Sequence, residues 1–124
     1  MNLKRFFLPF ILIGVMILSS CGNAELQKDA DATADAMCRS IGAANELRKA
    51  NPMDTANIMV LQANLKKVTT EMTILNVEFK QKYGKKANDA SFNKKFAKML
   101  RKAMLTCPNL SKEDKEQFEK EVSE

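Results

Sequence analysis

From Glu25 onward apolar side chains return every three or four positions, and no stretch alternates residue by residue as a half-buried strand would. The clearest series is Ile58, Leu61, Leu65, Val68, Met72, Leu75 and Phe79, the a/d seam of a long helix packed along one face. Asn51 and Pro52 predict its start, as N-cap and first helical residue. Gly84, following Lys80 and Lys82, predicts its stop. Upstream, Ala30, Ala34, Met37, Ile41 and Ala44 keep the same spacing and predict a first helix from near Glu25 to Ala50, with small side chains that let a neighbour approach closely. Downstream, Phe92, Phe96, Met99, Ala103 and Cys107 form a third stripe, widened by Leu100 and Met104. Ser91 or Asp89 can cap its start, and Cys107-Pro108 is expected to end it, because the residue before a proline resists the helical region. Ser111 with Asp114 resembles a weak capping box for a last short helix whose apolar face is only Phe118 and Val122, so loose docking or fraying is expected there.

Short connections at Asn51-Pro52 and from Gly84 to Asn88 make successive helices antiparallel. The predicted fold is therefore all-α: an up-down-up three-helix bundle with a short C-terminal fourth helix. In that topology the first and third helices run parallel. Cys38 and Cys107 then lie about 13 and 18 residues above the starts of their helices, a mismatch of roughly 7 Å that a slide of the helices absorbs.

The first twenty residues follow a different pattern. A basic head containing Lys4 and Arg5 precedes an uncharged apolar run from Phe6 to Leu18, which is a signal-peptide layout and too short for a permanent membrane span. Leu18-Ser19-Ser20-Cys21 resembles the lipobox of bacterial lipoproteins. An ordinary secretory cleavage site, or a stray cysteine closing a membrane anchor, is the other reading of these residues. The resemblance implies cleavage before Cys21, diacylglycerol on its thiol and an acyl chain such as palmitate on its new amine. Each buried methylene contributes about 0.8 kcal/mol, so several chains anchor where one would not. Gly22 stands where an inner-membrane retention signal would place aspartate, so the resemblance further implies the outer membrane, facing the periplasm. The expected organisation is a signal peptide over 1–20, an acylated Cys21 with a short linker over 21–24, and a helical bundle domain over 25–124.

Lys4 and Arg5 account for two of the twenty basic residues, leaving eighteen against fifteen acids, a formal charge of +3. That mild excess in an envelope protein gives no reason to expect nucleic acid as partner. Without Cys21, two cysteines remain in a compartment where disulfides persist, and a bridge from Cys38 to Cys107 is the first reading. Redox exchange lacks a C-x-x-C, and a zinc site lacks histidine, of which the chain has none.

Charge is segregated along the chain. Residues 80–102 hold nine lysines and arginines against Asp89, whereas residues 111–124 hold six acids against three lysines. The predicted topology returns the turn at Gly84 to the anchored end, so Lys80, Lys82, Lys85 and Lys86 are candidate contacts for anionic lipid, lipopolysaccharide or a cell-wall polymer, at about 1 kcal/mol per basic residue. An ordinary solvated lysine-rich turn is the competing reading. Asp29, Asp31, Thr33 and Asp35 space oxygens like half a calcium loop, but Ala34 and Ser40 stand where glycine and glutamate are needed, and no metal or cofactor is expected. Met37, Met59, Met72, Met99 and Met104 could line an adaptable partner groove, but filler of a core poor in aromatics is the first reading; Met59 and Val60, off the central seam, are the candidate start of a partner surface. Glu71 and Glu78 share a helix face but no evident cleft, and neither a nucleophile elbow nor a phosphate loop is present, so an enzyme is not expected. The functional expectation is a lipid-anchored, non-catalytic helical binding or adaptor module of the bacterial envelope. The alternatives are a structural protein contacting an anionic surface through the basic turn, and an inhibitor or immunity-type factor for a periplasmic protein.

Overall fold

The computed structural model describes the backbone of residues 4–124 and the side chains from Asn23 onward. The expected signal peptide and lipobox, with Cys21, lie outside the fully described residues. Among the described residues there are four α-helices and no strand: α1 (Lys4–Lys49), α2 (Thr55–Tyr83), α3 (Ala90–Met104) and α4 (Lys112–Ser123), with a 3-10 turn over Gly84–Asn88 between α2 and α3.

Helix α1 is the common partner, packed against both α2 and α3. Arg39 meets Glu71 and Asp29 meets Lys82, so α1 and α2 run antiparallel. Cys38 is joined to Cys107 with a Cα–Cα distance of 5.7 Å, and Lys95 donates to Asn23, so α1 and α3 run in the same direction. Ala30, Ala34 and Ala36 are buried on α1, where the absence of long side chains lets two helices approach one. Ala36 lies seven residues beyond Asp29 and three before Arg39, which places it on the face under α2. The densest packing is at the disulfide end, where Ala34, Met104, Cys107 and Leu110 form a buried cluster flanked by Met37, Ile41, Leu100 and Phe118.

The expected seam of α2 is the one the fold uses. Ile58, Leu61, Leu65, Val68, Met72, Leu75 and Phe79 are all half-buried, and almost every residue between them is exposed. No residue of α2 is fully buried. Gly84 ends the helix at φ +53°, a left-handed conformation in which an L side chain would be strained, and its N–H bonds to the Lys80 carbonyl.

Several boundaries differ from expectation, each for a local reason. Asn23 and Ala24, expected as linker, continue α1, and Leu26 just after them is buried. Pro52 does not open α2. Asn51 closes a turn by accepting the Met53 N–H at 3.0 Å, and Asp54 becomes the N-cap by accepting the Asn57 N–H at 3.1 Å. Asp89, not Ser91, caps α3 through the Phe92 N–H at 2.8 Å. Helix α3 ends at Met104, short of Cys107. The Thr106 hydroxyl donates to the Ala103 carbonyl, and the Cys107 N–H bonds to Met104 three residues back, so the chain tightens before Pro108 and turns Cys107 toward α1. The following loop lies on Gly42 of α1. A Cβ there would sit 2.6 Å from Asn109 Nδ2, which donates to the Cys38 carbonyl at 3.1 Å.

Helix α4 is better docked than its small apolar face predicts. Ser111 caps it through the Asp114 N–H, Phe118 packs against the buried cluster, and Glu121 pairs with Arg101 at 2.6 Å. The acidic tail thereby folds onto basic α3, joining the two segments of opposite charge.

Candidate functional site

Because α1 separates α2 from α3 over most of their length, the two outer helices meet chiefly through aromatic rings. Phe79 stacks 4.4 Å from Phe96 and 4.7 Å from Tyr83, and Tyr83 lies 5.1 Å from Phe92, centroid to centroid, all tilted. Beside this cluster the helices part, leaving an open groove of about 600 Å³. Met72, Leu75 and Phe79 of α2, Phe96 of α3 and Ala87 of the 3-10 turn give it apolar walls, and Thr33 of α1 reaches it from below. Thr69, Thr73, Asn76, Lys80 and Asn93 form its polar part. The Thr69 and Thr73 hydroxyls donate to the carbonyls of Leu65 and Thr69, and the Asn93 amide donates to the Ala87 carbonyl. These groups therefore present mainly oxygen acceptors outward. Lys80 is the one cation in the lining. Such a groove suits apolar side chains carried on a segment with free N–H donors, with an acidic group held at Lys80.

At the base of the bundle the four lysines of the basic turn separate. Lys82 folds back onto α1, pairing with Asp29 at 2.9 Å and Glu25 at 3.7 Å, and its ammonium lies 5.5 Å from the Tyr83 ring centroid. The hydrogen bond to Asp29 raises its pKa against the opposing effect of desolvation. Tyr83 also donates to Asp29, and burial followed by that carboxylate pushes its phenol well above the ordinary range. Lys82 is thus occupied within the fold. Lys80 belongs to the groove, while Lys85 and Lys86 are exposed in the 3-10 turn. The Lys82–Asp29 and Lys95–Asn23 contacts set this turn level with the first fully described residues of α1.

The other candidates resolve into structural pairs. Glu71 receives both terminal nitrogens of Arg39, at 2.9 and 2.7 Å, and Arg39 also pairs with Asp35. Those hydrogen bonds raise the Arg39 pKa and hold the Glu71 carboxyl below its ordinary range. The oxygens of the half calcium loop diverge on helix α1: Asp29 to Lys82, Asp31 to Gln27, Thr33 to a backbone carbonyl and Asp35 to Arg39. Among the described residues there is no cluster of three or more metal-ligating side chains, and no helix is long and apolar enough to cross a membrane. Met59 and Val60 are exposed, at 66% and 58%, and Met53, Ile74 and Val77 join them on the surface.

The groove was not legible in the sequence. Its walls come from the same seam positions that read as core, and only the parting of α2 from α3 exposes them. No family model matches the chain, and neither a curated protein nor a solved structure does.

Proposed function

We propose that this protein is a bacterial envelope lipoprotein, anchored by acylation of Cys21 in the membrane and facing the periplasm, whose remaining residues form an up-down-up three-helix bundle with a fourth helix docked on it. Its function is non-catalytic: the bundle is a binding or adaptor module, and the groove between α2 and α3 is where it holds a protein partner. The observation that carries this reading is the groove itself, an apolar concavity bordered by acceptor oxygens and Lys80 in a molecule whose other charged clusters are largely used to join helices. Lipobox, apolar run and basic head support the anchoring.

Affinity capture from crosslinked envelope extract, with the oxidised protein as bait, tests the reading. A single stoichiometric protein lost on Leu75→Asp, a groove-wall substitution, supports it. Equal capture by the wild type and the variant removes the groove.

The second reading, a contact with anionic lipid or wall polymer, is favoured by the exposure of Lys85 and Lys86 at the level of Asn23, close to residue 21. It predicts salt-sensitive binding to anionic but not neutral vesicles, weakened by Lys85→Gln/Lys86→Gln.

A further inference from the structure

Helix α3 carries no acid, and its lysines gather on one side. At about 100° per residue, Lys94, Lys98, Lys102 and Lys95 fall at roughly 0°, 40°, 80° and 100° round the helix. All four are exposed. Elsewhere the fold pairs its cations: Arg39 with Asp35 and Glu71, Lys82 with Asp29 and Glu25, Arg101 with Glu121. Among the described residues none of Lys94, Lys98 and Lys102 meets a carboxylate, and Lys95 donates to the Asn23 side-chain oxygen. Asp31 and Asp35 of α1, which share a hollow with Ala103 and Thr106 of α3, bond Gln27 and Arg39 instead. The acidic α4 pairs with Arg101, at the edge of the stripe. Like charges four residues apart repel along a helix, so gathering these three on one side does nothing to fold it.

We propose that this face of α3 lies along the anionic surface of the membrane that holds the anchor, so that the bundle rests on its side and does not stand on its basic turn. The inference rests on the acylation of Cys21 proposed above. Three placements select that occupant and that orientation. The stripe begins at the anchored end, where Lys95 bonds Asn23, two residues from Cys21, and the turn carrying Lys85 and Lys86 is level with it. It ends at Lys102, about 12 Å farther along α3 than Lys94. In an upright bundle that distance exceeds the Debye length of about 8 Å at physiological ionic strength, and Lys102 would feel little of the surface; on its side the bundle brings all four lysines to it. The third placement is that of the groove. Asn93 and Phe96, through which α3 lines it, centre about 180° round the helix from the stripe, so the groove stays open to a partner. Helix α1 lies between α3 and α2, which carries Lys66, Lys67 and Lys80 away from the surface. Acyl chains hold such a protein in the bilayer, and a polybasic face beside them supplies a second attachment that also fixes direction.

Lysine acetylation of the full-length acylated protein, floated with vesicles and read residue by residue by mass spectrometry, tests it. The vesicles are phosphatidylcholine alone or an equal mixture with phosphatidylglycerol. An anionic surface raises the local proton concentration by roughly threefold, so amines lying on it react about threefold more slowly. That slowing is expected at Lys94, Lys95, Lys98 and Lys102 on the anionic vesicles alone, with Lys66, Lys67 and Lys80 unchanged. About 1 M salt should erase it without releasing the protein, because the acyl anchor is not screened. Slowing at Lys85, Lys86 and Lys95 that does not extend to Lys98 and Lys102 would stand the bundle on its turn and overturn the proposal. So would uniform rates in the floated protein, or slowing by soluble polyphosphate but not by anionic vesicles, which would give the stripe to a linear polymer. Protein that floats with neither vesicle would remove the anchor itself, and the inference with it; the other outcomes leave the anchor standing.

Discussion

The two helices that lie on α1 are held to it by different physics. On the α3 side there is a covalent bond, a buried Met104 and a loop residue, Leu110, that closes the cluster from above. On the α2 side no α2 residue is fully buried: a half-buried seam is supplemented by the Arg39–Glu71 and Asp29–Lys82 contacts and by the rings around Phe79. Charge pairs near the surface contribute little each, and half-buried leucines less than buried ones. The difference assigns stability to α1, α3 and α4, and leaves α2 as the wall that can adjust its distance from α3. A groove bounded by one firm and one adjustable wall suits a binding module.

The most severe way to break the comparison is to remove the bond. The bridge closes a separation of 69 residues, and in the chain-entropy model its loss costs about 4 kcal/mol. Cys38→Ala/Cys107→Ala is expected to lower the melting temperature by roughly 15–30 °C, read by circular dichroism. A shift of only a few degrees would mean that α3 is held as lightly as α2. Met104→Ala comes next. At 1% exposure its truncation is expected to cost about 3 kcal/mol, against about 1 kcal/mol for Leu65→Ala on the half-buried seam of α2, both from urea titration. Equal costs would erase the distinction between the two sides.

How much of this the sequence carried depended on the range of the interaction. The α2 seam from Ile58 to Phe79 was legible because periodicity reports directly which face is covered. The pairing of Cys38 with Cys107 was expected from residue count and from the location that the lipobox resemblance implies, and α1 and α3 bring the two together. Helix ends were less legible. Asn51-Pro52 was expected to start α2, and Asp54 caps it instead because of a turn of a few residues that Asn51 makes with its own side chain. Leu110, in the loop between α3 and α4, carried no signal in the sequence and is buried because the turn at Cys107 directs it inward. The groove and the occupation of Lys82 by Asp29 were invisible for a different reason: both depend on the spacing between helices distant in sequence, and no local pattern encodes it. Of the exposed apolar residues of α2, Met59 and Val60 stood out in the sequence, whereas Ile74 and Val77 were revealed as exposed only by the fold.

At the α2 side, the sharper tests are smaller and depend on pH. Tyr83→Phe removes the hydroxyl that donates to Asp29 and is expected to cost about 1 kcal/mol. Both Tyr83 and Lys82 have folded pKa values raised above their ordinary ones, mainly by burial for the phenol and by the Asp29 hydrogen bond for the ammonium. A group of that kind stabilises fully below its unfolded pKa and loses the contribution as pH rises toward the folded value. Stability should therefore decline above about pH 10, the ordinary range of both groups, and less steeply in Tyr83→Phe.

Glu71 supplies the opposite sign and the smallest effect. Its carboxyl is held below the ordinary range by the Arg39 hydrogen bonds, so its contribution is present above about pH 4.3 and is lost as pH falls through the folded value. Glu71→Gln cannot lose what it no longer has. Its urea midpoint is expected to start slightly below that of the wild type at neutral pH and to converge with it on acidification. Because Arg39 and Glu71 are both substantially solvent-exposed, about 1 M salt should remove most of the neutral-pH difference. The same salt should leave the Met104→Ala deficit in place, since that deficit arises from lost packing. A salt-insensitive Glu71→Gln deficit would show that Arg39 is held to α2 by packing of its stem, and the electrostatic account of the α2 side would then have to give way to one like that of α3.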